Sequence, residues 1–134
     1  MSYLLDTDIV SNTIKKQPSA ALLDRLAAVP RAEQFTSVIT LGEMWYGALR
    51  SPNAERIRNR IETDVLPRLN VVDFDVDAAA AYANARFELE SRGTPVAEAD
   101  LRIAAIALAR GFTLVTGNIR HFARVPGLRV ENWL

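Results

Sequence analysis

Short apolar runs that stop abruptly at polar residues, separated by stretches of helical periodicity, constrain this 134-residue chain more than any other feature. Ser2-Tyr3-Leu4-Leu5 halts at Asp6, and residues 34–38, 70–74, 112–116 and 128–131 repeat the form. Runs that are apolar throughout, rather than alternating, mark strands buried on both faces. The segments between them read as helices. One leads from Asp6-Thr7-Asp8 through Ile9, Val10 and Ile14 and ends near Lys15-Lys16. Pro18 opens the next at its first position, with Leu22, Leu23 and Leu26 on one apolar face, and Pro30 stops it. Residues 40–49 form a third. Asn53 caps a fourth, whose core face is Ile57, Ile61, Val65 and Leu66. Asp75 caps an alanine-rich helix ending before Gly93, and a last one runs from Ala97 to Arg110, closed by Gly111. This alternation predicts an α/β three-layer sandwich around a mainly parallel sheet of four to five strands, in one domain spanning residues 1–134. Ligands of such folds bind beyond the carboxyl ends of the strands.

Composition removes several chemistries. There is no cysteine, hence no disulfide, thiolate zinc site or cysteine nucleophile. His121 is the single histidine, which excludes a metal-free nuclease working with a histidine acid–base pair. No apolar run is long enough to span a bilayer and no export segment is visible, so a cytoplasmic location is expected. The net charge is zero, but the sixteen basic residues are fourteen arginines plus Lys15 and Lys16. The arginine fork suits phosphate; GC-rich coding accounts for the bias equally well.

The acidic residues stand where the fold would gather them. Asp6 ends the first strand and Asp8 follows. Glu43 lies one turn into the helix after the second strand. Asp100 lies in the first turn of the helix before the fourth, with Glu98 two residues ahead and directed elsewhere. Thr116, Asn118 and His121 follow the fourth strand. Two or three such carboxylates hold Mg2+ or Mn2+, hard cations that keep waters and leave room for a phosphate. A cation so held polarises a phosphoryl oxygen and activates water. Each acid also has a purely local account. Asp6 caps a helix; Thr40-Leu41-Gly42-Glu43 is a capping box; Asp100 and Glu98 suit a helix start. The residues alone leave both readings open.

Four blocks in order carry a resemblance. Leu4-Leu5-Asp6-Thr7-Asp8 resembles the opening of PIN domains. Residues 37–43, Ser-Val-Ile-Thr-Leu-Gly-Glu, resemble the segment of their second acid, and residues 95–105 that of the third. Residues 114–122 and 125–133 resemble the C-terminal signature of VapC-type toxins. The resemblance implies a Mg2+- or Mn2+-dependent endoribonuclease toxin, homodimeric and neutralised by a cognate antitoxin encoded beside it. It makes Asp6, Glu43 and Asp100 the metal-binding catalytic acids, with Asp8, Thr116, Asn118 and His121 in support. Two positions depart from the family: Asn118 and His121 occupy the region of a fourth acid, and Ala97 stands where relatives often carry glycine.

Further expectations follow from that reading. Arg50, Arg56, Arg58 and Arg60 are candidate contacts to the RNA backbone, the alternative being a solvated helix face. The apolar girth of helix 97–110 is covered by the sheet and either a second subunit or a neighbouring helix of the same chain. The non-enzymatic alternative is a catalytically weak or inactive RNA- or protein-binding module, which His121 in place of an acid favours. A haloacid-dehalogenase-like phosphatase or a receiver-like phosphoacceptor needs a late lysine, and no lysine follows Lys16.

Overall fold

The structure, a computed structural model, describes residues 1–134. Five strands form one sheet: β1 (Tyr3–Leu5), β2 (Gln34–Ser37), β3 (Asn70–Val72), β4 (Thr113–Val115) and β5 (Val130–Glu131). Their order is β3-β2-β1-β4-β5, and every neighbouring pair is parallel. The helices are α1 (Thr7–Thr13), α2 (Ala20–Ala28), α3 (Val38–Arg50), α4 (Ala54–Arg60), α5 (Val76–Ser91), α6 (Glu98–Arg110) and α7 (Ile119–Phe122). None is long and apolar enough to cross a membrane.

Successive strand residues face opposite sides of a sheet, and here both sides are packed. Leu4 and Leu114 enter one core with Leu101, Ile103 and Ile106 of α6 and Ala85 and Leu89 of α5. Leu5 and Val115 enter the other, with Ile9 and Val10 of α1, Leu22 of α2, and Leu41 and Met44 of α3. The sandwich predicted from the uniformly apolar strands is thus present, with α5 and α6 on one face and α1 to α4 on the other. Each fully buried leucine or isoleucine contributes roughly 1.5–3 kcal/mol, so the two cores hold the strand ends in place for chemistry.

Helix α6 is buried on nearly its whole circumference, including Leu101, Ile103, Ala104, Ala105, Ile106 and Ala107. The sheet covers one side, and α5 of the same chain packs along it. No second subunit is required to cover it. Gly111 closes α6 at φ 69°, the left-handed conformation a side chain disfavours.

Several local expectations need correction. Pro18 lies outside α2, which starts at Ala20 because the Ser19 side chain accepts from the Leu22 amide. Leu22 is buried, but Leu23 is 45% exposed and does not share its face. Helix α3 begins at Val38, a turn earlier than the capping box required. Ser37 is its N-cap, accepting from the Thr40 amide at 3.0 Å, and Glu43 makes no bond back to Thr40. The predicted fourth helix changes character after Arg60. Ile61–Val65 is a π-helical turn, with the Leu66 amide donating to Ile61 O at 3.0 Å. The wider turn rotates Leu66 off the core face while Ile61 and Val65 remain buried. Asn53 precedes α4 without making a side-chain cap bond. Helix α7, four residues long, is too short for periodicity to reveal.

Candidate active site

The order of the strands reverses at β1, whose chain successor β2 lies on one side and β4 on the other. A crevice opens beyond the carboxyl ends of β1 and β4 for that reason. Asp6 and Thr116 are the first residues past those two ends. Asp6 both caps α1 and faces the crevice, so its structural and chemical roles coincide. Its Oδ1 accepts from the Thr7 amide at 2.8 Å and its Oδ2 from the Thr116 hydroxyl at 2.8 Å. Thr116 Oγ1 in turn accepts from the Asn118 amide at 3.1 Å. The carboxylate is only 5% exposed. Burial pushes its pKa from the usual 3.8 up to about 7, against the pull of the Thr116 and Thr7 bonds, and the charges of Asp8 and Asp100 push the same way.

Asp8 is held in place by one bond. Its Oδ2 accepts from the Gly117 amide at 2.9 Å, so α1 is stapled to the end of β4. A Cβ on residue 117 would stand 2.7 Å from that oxygen and 2.9 Å from Leu134 Cδ1, which is why the position is glycine. Asp100, in the first turn of α6, is half-buried, and burial raises its pKa while His121 opposes the rise. His121 Nε2 lies 3.1 Å from Asp100 Oδ2 but off the direction a hydrogen bond needs, and it is the buried side-chain polar atom left without a hydrogen-bond partner. Arg124 Nη2 approaches His121 Nδ1 at 2.7 Å. A guanidinium only donates, so Nδ1 accepts and the ring proton sits on Nε2, facing Asp100.

Glu43 is linked to this group through a residue the motif reading passed over. The Thr7 hydroxyl donates to Glu43 Oε1 at 2.6 Å, while the Thr7 amide serves Asp6. Its place between the two aspartates of the opening motif was the signal available in the sequence. Gly117 was likewise legible only as part of Thr116-Gly117-Asn118. Glu98 lies apart from the crevice: it accepts from the Tyr82 hydroxyl and pairs with Arg86 and Arg102. The four candidate arginines divide. Arg56 and Arg60 line a cleft of about 310 Å3 together with Glu43 and Thr7, Arg60 being paired with Asp64. Arg50 stacks over Tyr46 at 5.4 Å, and Arg58 lines no cavity.

Asp6, Asp8 and Glu43 have no basic partner within ion-pair distance, and Asp100 has only His121. An oxygen-only donor set holding a buried carboxyl that resists ionising is what a hard divalent cation would relieve. No three of these acids stand close enough to enclose an ion directly. A hard divalent cation held through one or two of them, its shell completed by waters, is compatible with that spacing. The residues fit such an ion.

An acid-lined crevice at the switch point of a parallel five-stranded sandwich defines a class, and the sequence comparison agrees: the PIN domain model matches residues 3–128, and the chain belongs to the PIN-domain family. Within it, the chain is similar to VapC proteins. It is 40% identical over 134 residues to Ribonuclease VapC2 of Haemophilus influenzae, covering 100% of this chain and 99% of that protein. It is 38% identical over 133 residues to the tRNA(fMet)-specific endonuclease VapC of Salmonella typhimurium, covering 99% and 98%. The fold superposes on VapBC2 from Rickettsia felis, solved bound to a DNA fragment from its promoter, with a TM-score of 0.92 at 35% identity over 100% of both chains. It superposes equally on DNA-bound VapBC from Salmonella typhimurium, with a TM-score of 0.92 at 38% identity, covering 100% of this chain and 99% of that one.

Proposed function

We propose that this chain is an endoribonuclease toxin that hydrolyses RNA phosphodiester bonds with Mg2+ or Mn2+ and is neutralised by a cognate antitoxin. The observation that carries the reading is Asp6, a buried carboxylate without a basic partner, flanked by Asp8 and Asp100 at the mouth of the crevice. Asp6 and Asp100 would hold the cation, and Glu43, which accepts from the Thr7 hydroxyl, would reach it through the waters the ion keeps. When bound, it supplies charge to polarise the phosphoryl oxygen and to make water more acidic. The protein supplies the positions. Thr116 and the Thr7 amide fix both oxygens of Asp6, Gly117 fixes Asp8, and His121 lies against one oxygen of Asp100. Arg56 and Arg60, beside Glu43, give the backbone a cationic flank. Arg50 and Arg58 stand away from it.

A catalytically weak RNA- or protein-binding module is the second reading, favoured by one observation: His121 already occupies a flank of Asp100. Incubation of total RNA with the purified chain separates the two. Cutting in magnesium that leaves 5′-phosphate ends, and is lost in chelator and in Asp100→Asn, supports the nuclease. A folded chain, free of any antitoxin, that cuts in neither magnesium nor manganese leaves the binding module. Homodimerisation belongs to the same reading, and light scattering on the isolated chain checks it.

A further inference from the structure

Beside His121, which lies 3.1 Å from Asp100, the surface opens into a second cavity of about 490 Å3. Asn118, Arg120, His121 and Arg124 line it, and no apolar residue contributes. The cavity is built on α7, which is anchored from beneath by the buried Phe122 and Val125. Arg120 and Arg124 are exposed, four residues apart, and neither pairs with a carboxylate. Arg124 is not free to wander: Nη2 contacts His121 Nδ1 at 2.7 Å and Nε reaches His121 O at 3.4 Å. That leaves further donors of its fork pointing outward. Arg120 makes no hydrogen bond at all, so its whole fork is available.

Two exposed guanidinium groups without a carboxylate partner and an amide, beside a nuclease-like acidic centre, suit an anionic ligand that also reaches that centre. We infer that Asn118, Arg120 and Arg124 form a seat for an RNA backbone phosphate adjacent to the bond being cut; the inference rests on the ribonuclease reading above. A strand laid across Asp6 and Asp100 must leave the crevice on two sides. Beside Glu43 it meets Arg56, and beside Asp100, past His121, it meets the α7 cavity. Its lining of polar residues suits a sugar–phosphate chain and offers no apolar residue to seat an apolar side chain. The cationic groups thus stand on both flanks of the acids. A phosphodiester chain is drawn across the centre without the acids themselves being neutralised by protein.

The test is anisotropy of a labelled single-stranded RNA that wild type cuts, measured in chelator over a series of KCl concentrations, with KM and kcat measured in magnesium. The double variant Arg120→Ala/Arg124→Ala should weaken binding and lower the slope of log K against log salt by about 0.7, one phosphate contact on a single strand, and Arg120→Ala alone by part of that. KM should rise more than kcat falls. Arg92→Ala, on the end of α5, should change neither. A single neutral methylphosphonate linkage next to the scissile bond should weaken wild type and cause little further loss in Arg120→Ala/Arg124→Ala. Unchanged slope and KM in both variants, with wild type still cutting, overturn the seat alone. That holds even if the variants lose their grip on the antitoxin, which would make the cavity a protein contact. A wild-type chain that neither binds nor cuts RNA overturns the seat and the ribonuclease reading together.

Discussion

Asp6 carries opposed forces, and their balance gives the clearest residue-scale prediction. In the unfolded chain its carboxyl titrates at 3.8; in the fold, burial moves that to about 7. The folded state therefore holds the proton more tightly, and stability is fully present below pH 4 and falls as pH rises through 7. At about 1.4 kcal/mol for each pH unit between the two values, roughly 4 kcal/mol is lost across that window. Thermal melts in chelator should show it, and Asp6→Asn should flatten the pH dependence and melt higher than wild type at pH 8. An unchanged profile in the variant would mean that another group governs it. Gly117 supports a second prediction. Gly117→Ala forces Asp8 to leave the Gly117 amide, because the new Cβ would stand 2.7 Å from its oxygen. Cleavage should drop on the order of 10- to 100-fold, with far-UV dichroism unchanged. A rate equal to wild type would show that Asp8 needs no such anchor. At this scale the sequence marks out carboxylates that the fold brings near one another, Asp6 with Asp8 and Asp100. It is silent on what holds them: Thr7 and Gly117 act through an amide and a missing side chain, features no residue count displays.

Among the elements, α3 shows where pattern reading and packing part company. Thr40 and Glu43 have the spacing of a capping box, yet the cap is Ser37, and Glu43 is released to meet Thr7 across the crevice. Asp6 and Glu43 are joined through Thr7 by that release. Ser37→Ala should then destabilise the fold by about 1 kcal/mol, read by denaturant midpoint. Glu43→Gln, which keeps an acceptor for Thr7, should change stability by less than about 0.5 kcal/mol while sharply reducing cleavage. If Glu43→Gln were the costlier change for stability, Glu43 would be serving the helix after all. The strands, α5 and α6 were legible because uniform apolarity and the caps Asp75 and Gly111 act locally. The π turn at Ile61–Val65 and the four-residue α7 were not, since tertiary packing decides both and neither leaves a period to read.

For the molecule as a whole, the parallel sheet gathers acids that are distant in sequence. Asp6 caps α1, Glu43 lies in the second turn of α3 and Asp100 in the first turn of α6, all three following or preceding strands of the one parallel sheet. Their mutual repulsion and the burial of Asp6 weigh against folding, while nothing basic in the chain pairs with Asp6, Asp8 or Glu43. A bound divalent cation should therefore stabilise the native state selectively, because the unfolded chain does not hold these carboxylates together. By mass action the gain is about 2.7 kcal/mol at a hundredfold excess over Kd, which for a chain of this size raises Tm by roughly 10 °C. The gain should grow between pH 6 and 8, as Asp6 gives up its proton more readily to a cation than to solvent. Differential scanning calorimetry with manganese, magnesium and chelator at the two pH values measures it. Asp6→Asn and Asp100→Asn should each remove most of the shift, whereas Arg120→Ala should leave it intact, since Arg120 contacts none of the acids. A manganese shift of equal size in all three variants would place the cation elsewhere on the protein and detach the acidic crevice from the chemistry proposed for it.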